Sequence, residues 1–406
     1  MNRILILISL FLFTSTKAQT IINPKIEFTS DLREFNNLTA LRETLKDIEI
    51  IALGENTHGL GNVFKVKADL VKFLHKELGF NLILFESGFG DGALAWEQFD
   101  SLSAEDLTLS FTSNFYYHSK EILELMEYVK SQDKKLKVQG FDCQPQQNYL
   151  INRMSQIVTP IDSVFAKSVK IQFRNFNKLY QYENDKDTIN FYKQRDEFFS
   201  FLDSYTKVII ENEQKLLKSG TTQNELEAIK KSNQIFYTTY SKIEFGSMMG
   251  WPISANIRDK SLFETVKWFK ENNPKSKIIV WAQNSHIENK PKPNNSVKWM
   301  GHSLKEAYGN KYYSLGAVVY SGKNLEYNRS FDFEHNDKNF LAYHLNQFNK
   351  DAFVLNLRNY KQNDFINESL LGMESGGNTA RFIAKDRFDG ILFIKYSSIP
   401  QIITDK

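Results

Sequence analysis

Residues 48–59 read Ile48-Glu49-Ile50-Ile51-Ala52-Leu53-Gly54-Glu55-Asn56-Thr57-His58-Gly59. A short apolar run, of strand length, gives way to a turn bracketed by two glycines and carrying an acid and an imidazole. Outward from this turn, Val63, Val66, Leu70, Leu74 and Leu78 recur at helical spacing, and Gly79 stands where a glycine ends a helix. A second apolar run, Asn81–Glu86, follows. The segment therefore predicts strand, tight turn, helix and strand, with a right-handed crossover between parallel strands.

The same alternation continues elsewhere. Further strands are expected at Leu136–Asp142, Lys277–Ala282, Tyr312–Val319, Ala352–Asn356 and Gly390–Lys395. Between Gly140 and Gly220 there is no glycine, and between Pro160 and Pro252 no proline. That stretch, rich in Lys, Glu, Gln, Phe and Leu, reads as several long helices. The predicted fold class is α/β, with a mostly parallel central sheet flanked by helices and a large helical insertion at about residues 145–250 that roofs one end of the sheet. Arg258-Asp259 is expected to begin another helix, with Asp259 as an acid of its first turn.

Open parallel sheets bind ligands beyond the carboxyl ends of their strands. Four such ends carry polar groups here: Glu55 and His58 after the first run, Glu86 after the second, Asp142 after the third, and Asn284 and His286 after Lys277–Ala282. Parallel strands would bring all of them to one edge. The positive end of the following helix favours neutral His58, the form a general base needs, whereas Glu55 favours the charged form while orienting the ring. Ser87 lacks the Gly-x-Ser-x-Gly elbow of a serine nucleophile.

The composition is that of a globular chain, 41% hydrophobic and 24% charged, with a net charge of +3. Lys and Glu are interspersed, so no basic patch points to nucleic acid. Arg3, the apolar run Ile4–Phe13 and Ala18 have the layout of a secretory signal, and the run is too short to span a bilayer. Residues 1–18 are therefore expected to be cleaved, leaving residues 19–406 as an exported protein, periplasmic or secreted, with no stable membrane anchor. With Cys143 as the single cysteine, an intramolecular disulfide is impossible.

The stretch Ile51–Gly59 resembles the opening of the erythromycin esterase family, as do Glu77-Leu78-Gly79-Phe80, Gly140-Phe141-Asp142, Asn256-Ile257-Arg258-Asp259, Trp281–His286, Met300-Gly301 and Phe388-Asp389-Gly390, all in family order. The resemblance implies hydrolysis of a carboxylic ester or lactone, such as the macrolide ring of erythromycin in antibiotic resistance, without metal or other cofactor. It implies that His58 activates water, that Glu55 orients or polarises it, and that Lys67, His286 and Glu86 belong to the catalytic set. Asp142, Asn284 and Arg258 are expected to bind substrate, and a lysine behind the acid–imidazole pair suits stabilisation of an oxyanion. Gln283 stands where members often carry a second histidine, and Asn62 where an acid is common. Two alternatives remain open at this point. One is a metal-dependent hydrolase using Glu55, His58, Glu86, Asp142 and His286 as ligands; the other is an exported binding protein without catalysis.

Overall fold

In the computed structural model, residues 25–28, 39–111, 115–144, 148–290, 296–326, 329–358, 360, 364–374 and 377–403 are described. The expected leader, residues 1–18, lies outside them. The strands are β1 (Lys25–Phe28), β2 (Ile50–Leu53), β3 (Phe80–Gly88), β4 (Lys137–Asp142), β5 (Lys277–Trp281), β6 (Tyr312–Glu326), β7 (Arg329–Glu334), β8 (Ala352–Asn356), β9 (Ser369–Met373), β10 (Thr379–Ile383) and β11 (Gly390–Ser397).

The main sheet runs β1-β8-β11-β6-β2-β5-β3-β4, with β7 paired to the extension of β6. From β11 to β4 every neighbouring pair is parallel. Antiparallel pairing is confined to β1–β8, β8–β11 and the β6–β7 hairpin in this sheet, and β9 and β10 form a separate two-stranded ribbon. The α/β, mostly parallel architecture thus stands. The adjacency of β2, β5 and β3 sends their carboxyl ends, and that of β4, to one edge of the sheet.

Successive residues of β2 face opposite sides: Ile51 and Leu53 enter one core, Ile50 and Ala52 the other. The helix Gly61–Leu78 covers the first side, burying Val63, Phe64, Leu70 and Leu74. It ends on Gly79, whose φ of 71° is the left-handed geometry that sequence placed there. Leu262, Val266 and Phe269 cover the other side.

The helical stretch from Asn148 to Asn272 exceeds the expected 145–250. Its helices include Ser163–Asn177, Thr188–Glu211 and Gln223–Met249, the last opened by a capping box between Thr222 and Glu225. They bury a phenylalanine-rich core of their own, with Phe173, Phe176, Phe198 and Phe236 in mutual ring contact. Gly250, at φ 87°, turns the chain directly into the helix Trp251–Asn272. Asp259 therefore lies in the third turn of that helix and not in its first: Pro252 is tolerated near the N-terminus, where it removes no needed hydrogen bond.

Candidate functional site

The turn after β2 is held by backbone contacts on both sides. The Asn284 amide N–H donates to the Glu55 carbonyl over 2.8 Å, and the Leu325 N–H of β6 donates to the Gly59 carbonyl over 3.1 Å. A Cβ at Gly59 would meet the Leu325 carbonyl oxygen at 1.9 Å, so only glycine permits this approach. Thr57 does not cap the following helix; its hydroxyl donates to Glu326 over 3.1 Å.

Fixed in this turn, Glu55 is fully buried and engages three side chains. Its Oε1 lies 2.6 Å from Nδ1 of His58 and accepts from the Tyr117 hydroxyl over 2.8 Å. Its Oε2 accepts from Nζ of Lys67 over 2.6 Å. Lys67, 0% exposed, lies on the face of Trp281 with Nζ 4.1 Å from the ring centre. Burial would raise the Glu55 pKa, but Lys67 and His58 outweigh it and hold the carboxyl below its usual range. Burial pushes Lys67 down to about 8, against the pull of Glu55. For Tyr117, burial and the charges of Glu55 and Glu86 hold the hydroxyl well above its usual pKa, so it remains a donor. An ionised Glu55 takes the His58 proton on Nδ1, which leaves the lone pair on Nε2. Nε2 has no protein partner among the described residues, and the His58 side chain is 17% exposed.

A second constellation stands beside the first. Nδ1 of His286 lies 2.7 Å from Asp259 Oδ1, and its Nε2 lies 3.3 Å from Glu86 Oε1. Arg258 spans Glu86, over 2.8 Å, and Asp142, over 2.6 Å. Its Nη1 also lies 3.1 Å from His286 Nε2. Burial disfavours a charged His286, yet Asp259 and Glu86 prevail and raise its pKa to about 10. Three carboxylates facing one guanidinium call for a second cation, so both imidazole nitrogens carry protons, donated to Asp259 and Glu86; the Arg258 contact is then a close approach of two donors. Burial opposes ionisation of Glu86 as well, but His286, Arg258 and His58 hold its pKa well below the usual range. Glu86 senses both histidines and so ties the two halves together; its Oε2 accepts from the Gln283 N–H over 2.9 Å.

Glu55, His58, Glu86, Asp142, Arg258 and His286 thus gather at the carboxyl edge of the sheet. A cleft of about 470 Å³ opens there, lined by Asn56, Arg258, Asp259, His286, Trp299 and Lys242 among others; Asn56, two residues before His58, brings the turn into this lining. The ends of two helices, Gln223–Met249 and Trp251–Asn272, supply its far wall. Lys67 lies behind Glu55, so its charge reaches the site through that carboxylate. The Asn284 side-chain amide is committed to the backbone of β6, donating to the Ala317 carbonyl over 2.8 Å and accepting from its N–H over 2.9 Å, which makes it a staple between strand ends. Asn62 accepts from the N–H and hydroxyl of Ser398, tying the helix start to the end of β11 and not to the cleft. As for metal binding, the carboxylates of the proposed ligand set are already engaged by Lys67 and Arg258, and among the described residues no three or more His, Cys, Asp or Glu are grouped to hold an ion.

Sequence reasoning missed Tyr117 and misread Asp259. Tyr117 comes from a 3-10 turn, Phe115–Tyr117, with no spacing relation to the other site residues. Asp259 shares a helix face with nothing predictive, but its adjacency to Arg258 was a usable signal: consecutive helical residues diverge by about 100°, so the pair can serve two partners at once.

Residues 75–397 match the protein family described as Erythromycin esterase. The chain is 28% identical to "Putative hydrolase YbfO" of Bacillus subtilis over 71% of this chain and 69% of that protein. It is 25% identical to "Erythromycin esterase type II" of Escherichia coli over 91% and 94%. A solved structure of an erythromycin esterase mutant, EreC H289N, in its open conformation superposes with a TM-score of 0.64 at 15% identity, covering 91% of this chain and 95% of that one.

Proposed function

Because the chain belongs to the erythromycin esterase family, we propose that it hydrolyses a carboxylic ester or lactone by direct attack of a water molecule activated by His58. The observation that carries this reading is the 2.6 Å contact between Glu55 Oε1 and His58 Nδ1, which leaves the lone pair on Nε2 of a side chain that is 17% exposed.

In the proposed reaction Nε2 removes a proton from water as its oxygen adds to the ester carbonyl carbon. Negative charge then develops on the carbonyl oxygen, and Nη1 of Arg258, which has no carboxylate partner among the described residues, supplies N–H donors to meet it. As the carbon–oxygen ester bond breaks, the His58 imidazolium returns its proton to the leaving alkoxide, giving one acid and one alcohol. Tyr117 and Lys67 keep Glu55 ionised and fixed, and so keep the His58 tautomer in place. Asp259 does the same for His286. The three carboxylates and the guanidinium are positioned before substrate arrives, so little reorganisation accompanies the chemical step.

The erythromycin lactone is one candidate substrate, and export to the periplasm or the medium is part of the same reading, as is action on a small molecule without nucleic acid or membrane anchorage. The test is incubation of the protein with a panel of macrolides and simple esters, read by mass for addition of one water. Turnover of at least one ester supports the reading; no water addition to any member of a broad panel contradicts it.

A further inference from the structure

The joint between the helices Gln223–Met249 and Trp251–Asn272 stands at the mouth of the cleft and presents apolar side chains to solvent. Met248, Met249 and Trp251 are 60%, 62% and 60% exposed, around Gly250. Scattered exposed apolar residues are ordinary, but three within four positions at the mouth of a cavity form a patch that calls for an occupant. Trp251 itself lines the cleft. Its ring lies 6.0 Å from that of Trp299, which in turn stands edge-on to His286 at 5.5 Å. Aromatic surface therefore runs continuously from the exposed lip to the buried imidazolium.

Beside this surface stands a cation for which the described residues supply no ion-pair partner. Lys242 lines the cleft and lies seven residues, two helical turns, before Met249, so both occupy one helix face. It is partly buried and has no ion pair within 4.0 Å among the described residues. Of the carboxylates it senses, Asp142 is held by Arg258 and Glu183 stays beyond ion-pair distance. Burial and the nearby Arg258 charge both disfavour its protonated form; an anion bound there would relieve the repulsion.

We propose that the mouth of the cleft is a recognition subsite in which Trp251, flanked by Met248 and Met249, receives a large apolar group, and Lys242 receives an anionic group on the same molecule. The favoured ligands are amphiphilic anions; that they are esters and are cleaved rests on the hydrolase reading above.

The experiment is titration calorimetry of the protein with decanoate, decyltrimethylammonium and acetate, repeated on Trp251→Ala, Lys242→Gln and Lys242→Arg, with circular dichroism to establish folding. Decanoate is expected to bind saturably at one site and more tightly than decyltrimethylammonium, and acetate not to bind. Trp251→Ala and Lys242→Gln each weaken decanoate at least about tenfold, the scale of a hydrogen bond to a charged group or of a buried aromatic contact, and Lys242→Arg largely retains it. Absence of decanoate binding, or equal binding by both neutralised or truncated variants, overturns the proposal. So does self-association of the protein that Trp251→Ala abolishes, which would make the lip an interface between copies. Decanoate binding as described, with no ester hydrolysed, removes the hydrolase reading and leaves the subsite standing; ester hydrolysis without decanoate binding does the reverse.

Discussion

Replacing Lys67 with Met removes the positive charge beneath Glu55 while nearly conserving its volume. Nζ sits 2.6 Å from Glu55 Oε2, and both side chains are 0% exposed, so no water can take its place without opening the core. Breaking a buried ion pair by removing one partner costs about 3–5 kcal/mol, because a charge is left uncompensated. Here Tyr117 and His58 still donate to Oε1, and hydrogen bonds to a charged acceptor stabilise by about 1.5–3 kcal/mol each. The loss should therefore lie near the lower bound, about 3 kcal/mol. In Lys67→Met with Glu55→Gln the orphaned charge is gone, and the pair of changes should cost about 2 kcal/mol less than the sum of the singles. Urea titrations of the four proteins measure this, provided the slopes agree. A Lys67→Met loss below about 1 kcal/mol, or simple additivity in the double variant, would refute the view that Lys67 acts through Glu55.

Three other outcomes follow from the same geometry. His286 binds its proton up to a pKa of about 10 when folded, against an ordinary 6.5, so the folded state holds more protons between these values and this contribution is fully present below 6.5 and lost as pH rises toward 10; Tm measured from pH 6 to 8 should fall, and His286→Gln should flatten that decline, whereas above pH 8 the buried Lys67, pushed down to about 8 from an ordinary 10.5, acts in the opposite direction. Asn62→Asp, which restores an acid common in the family, should leave turnover within about threefold of wild type, because this side chain faces Ser398 and not the cleft; a large gain in kcat would mean that Asn62 belongs to the chemistry. Protein recovered from its native host should begin near Gln19, as Edman sequencing would read; a chain still starting at Met1 contradicts the expected leader.

Much of this arrangement was legible in the chain because local and global signals agree. The helix Gly61–Leu78 was bounded by its apolar period and Gly79, and the strand runs of β2, β3, β4, β5 and β8 were short, apolar and punctuated. Parallel order then dictated that Glu55, His58, Glu86, Asp142 and His286 meet at one edge. Elements whose pairing is nonlocal or whose faces are solvated were not legible. β7 is exposed along nearly its whole length, so it lacks the apolar alternation that marks a half-buried strand, and β6 extends seven residues beyond the expected Val319 to pair with it. The roles within the site were harder still. Lys67 and Lys65 look alike in sequence, and only the helix phase, which turns Lys67 into the core under Trp281, separates a buried ion-pair partner from a solvated one.

The proposed reaction turns on His58, held by Glu55, as the base that makes the nucleophile. The most direct measurement is kcat of His58→Ala against wild type, on whichever ester of the panel is cleaved, with folding verified by circular dichroism and with chelator present and absent. General-base catalysis contributes ~10²–10⁴-fold, and because this base also generates the nucleophile the loss should approach the upper end, unaffected by chelator. A folded His58→Ala protein that keeps more than about a tenth of wild-type kcat would show that another group activates the water.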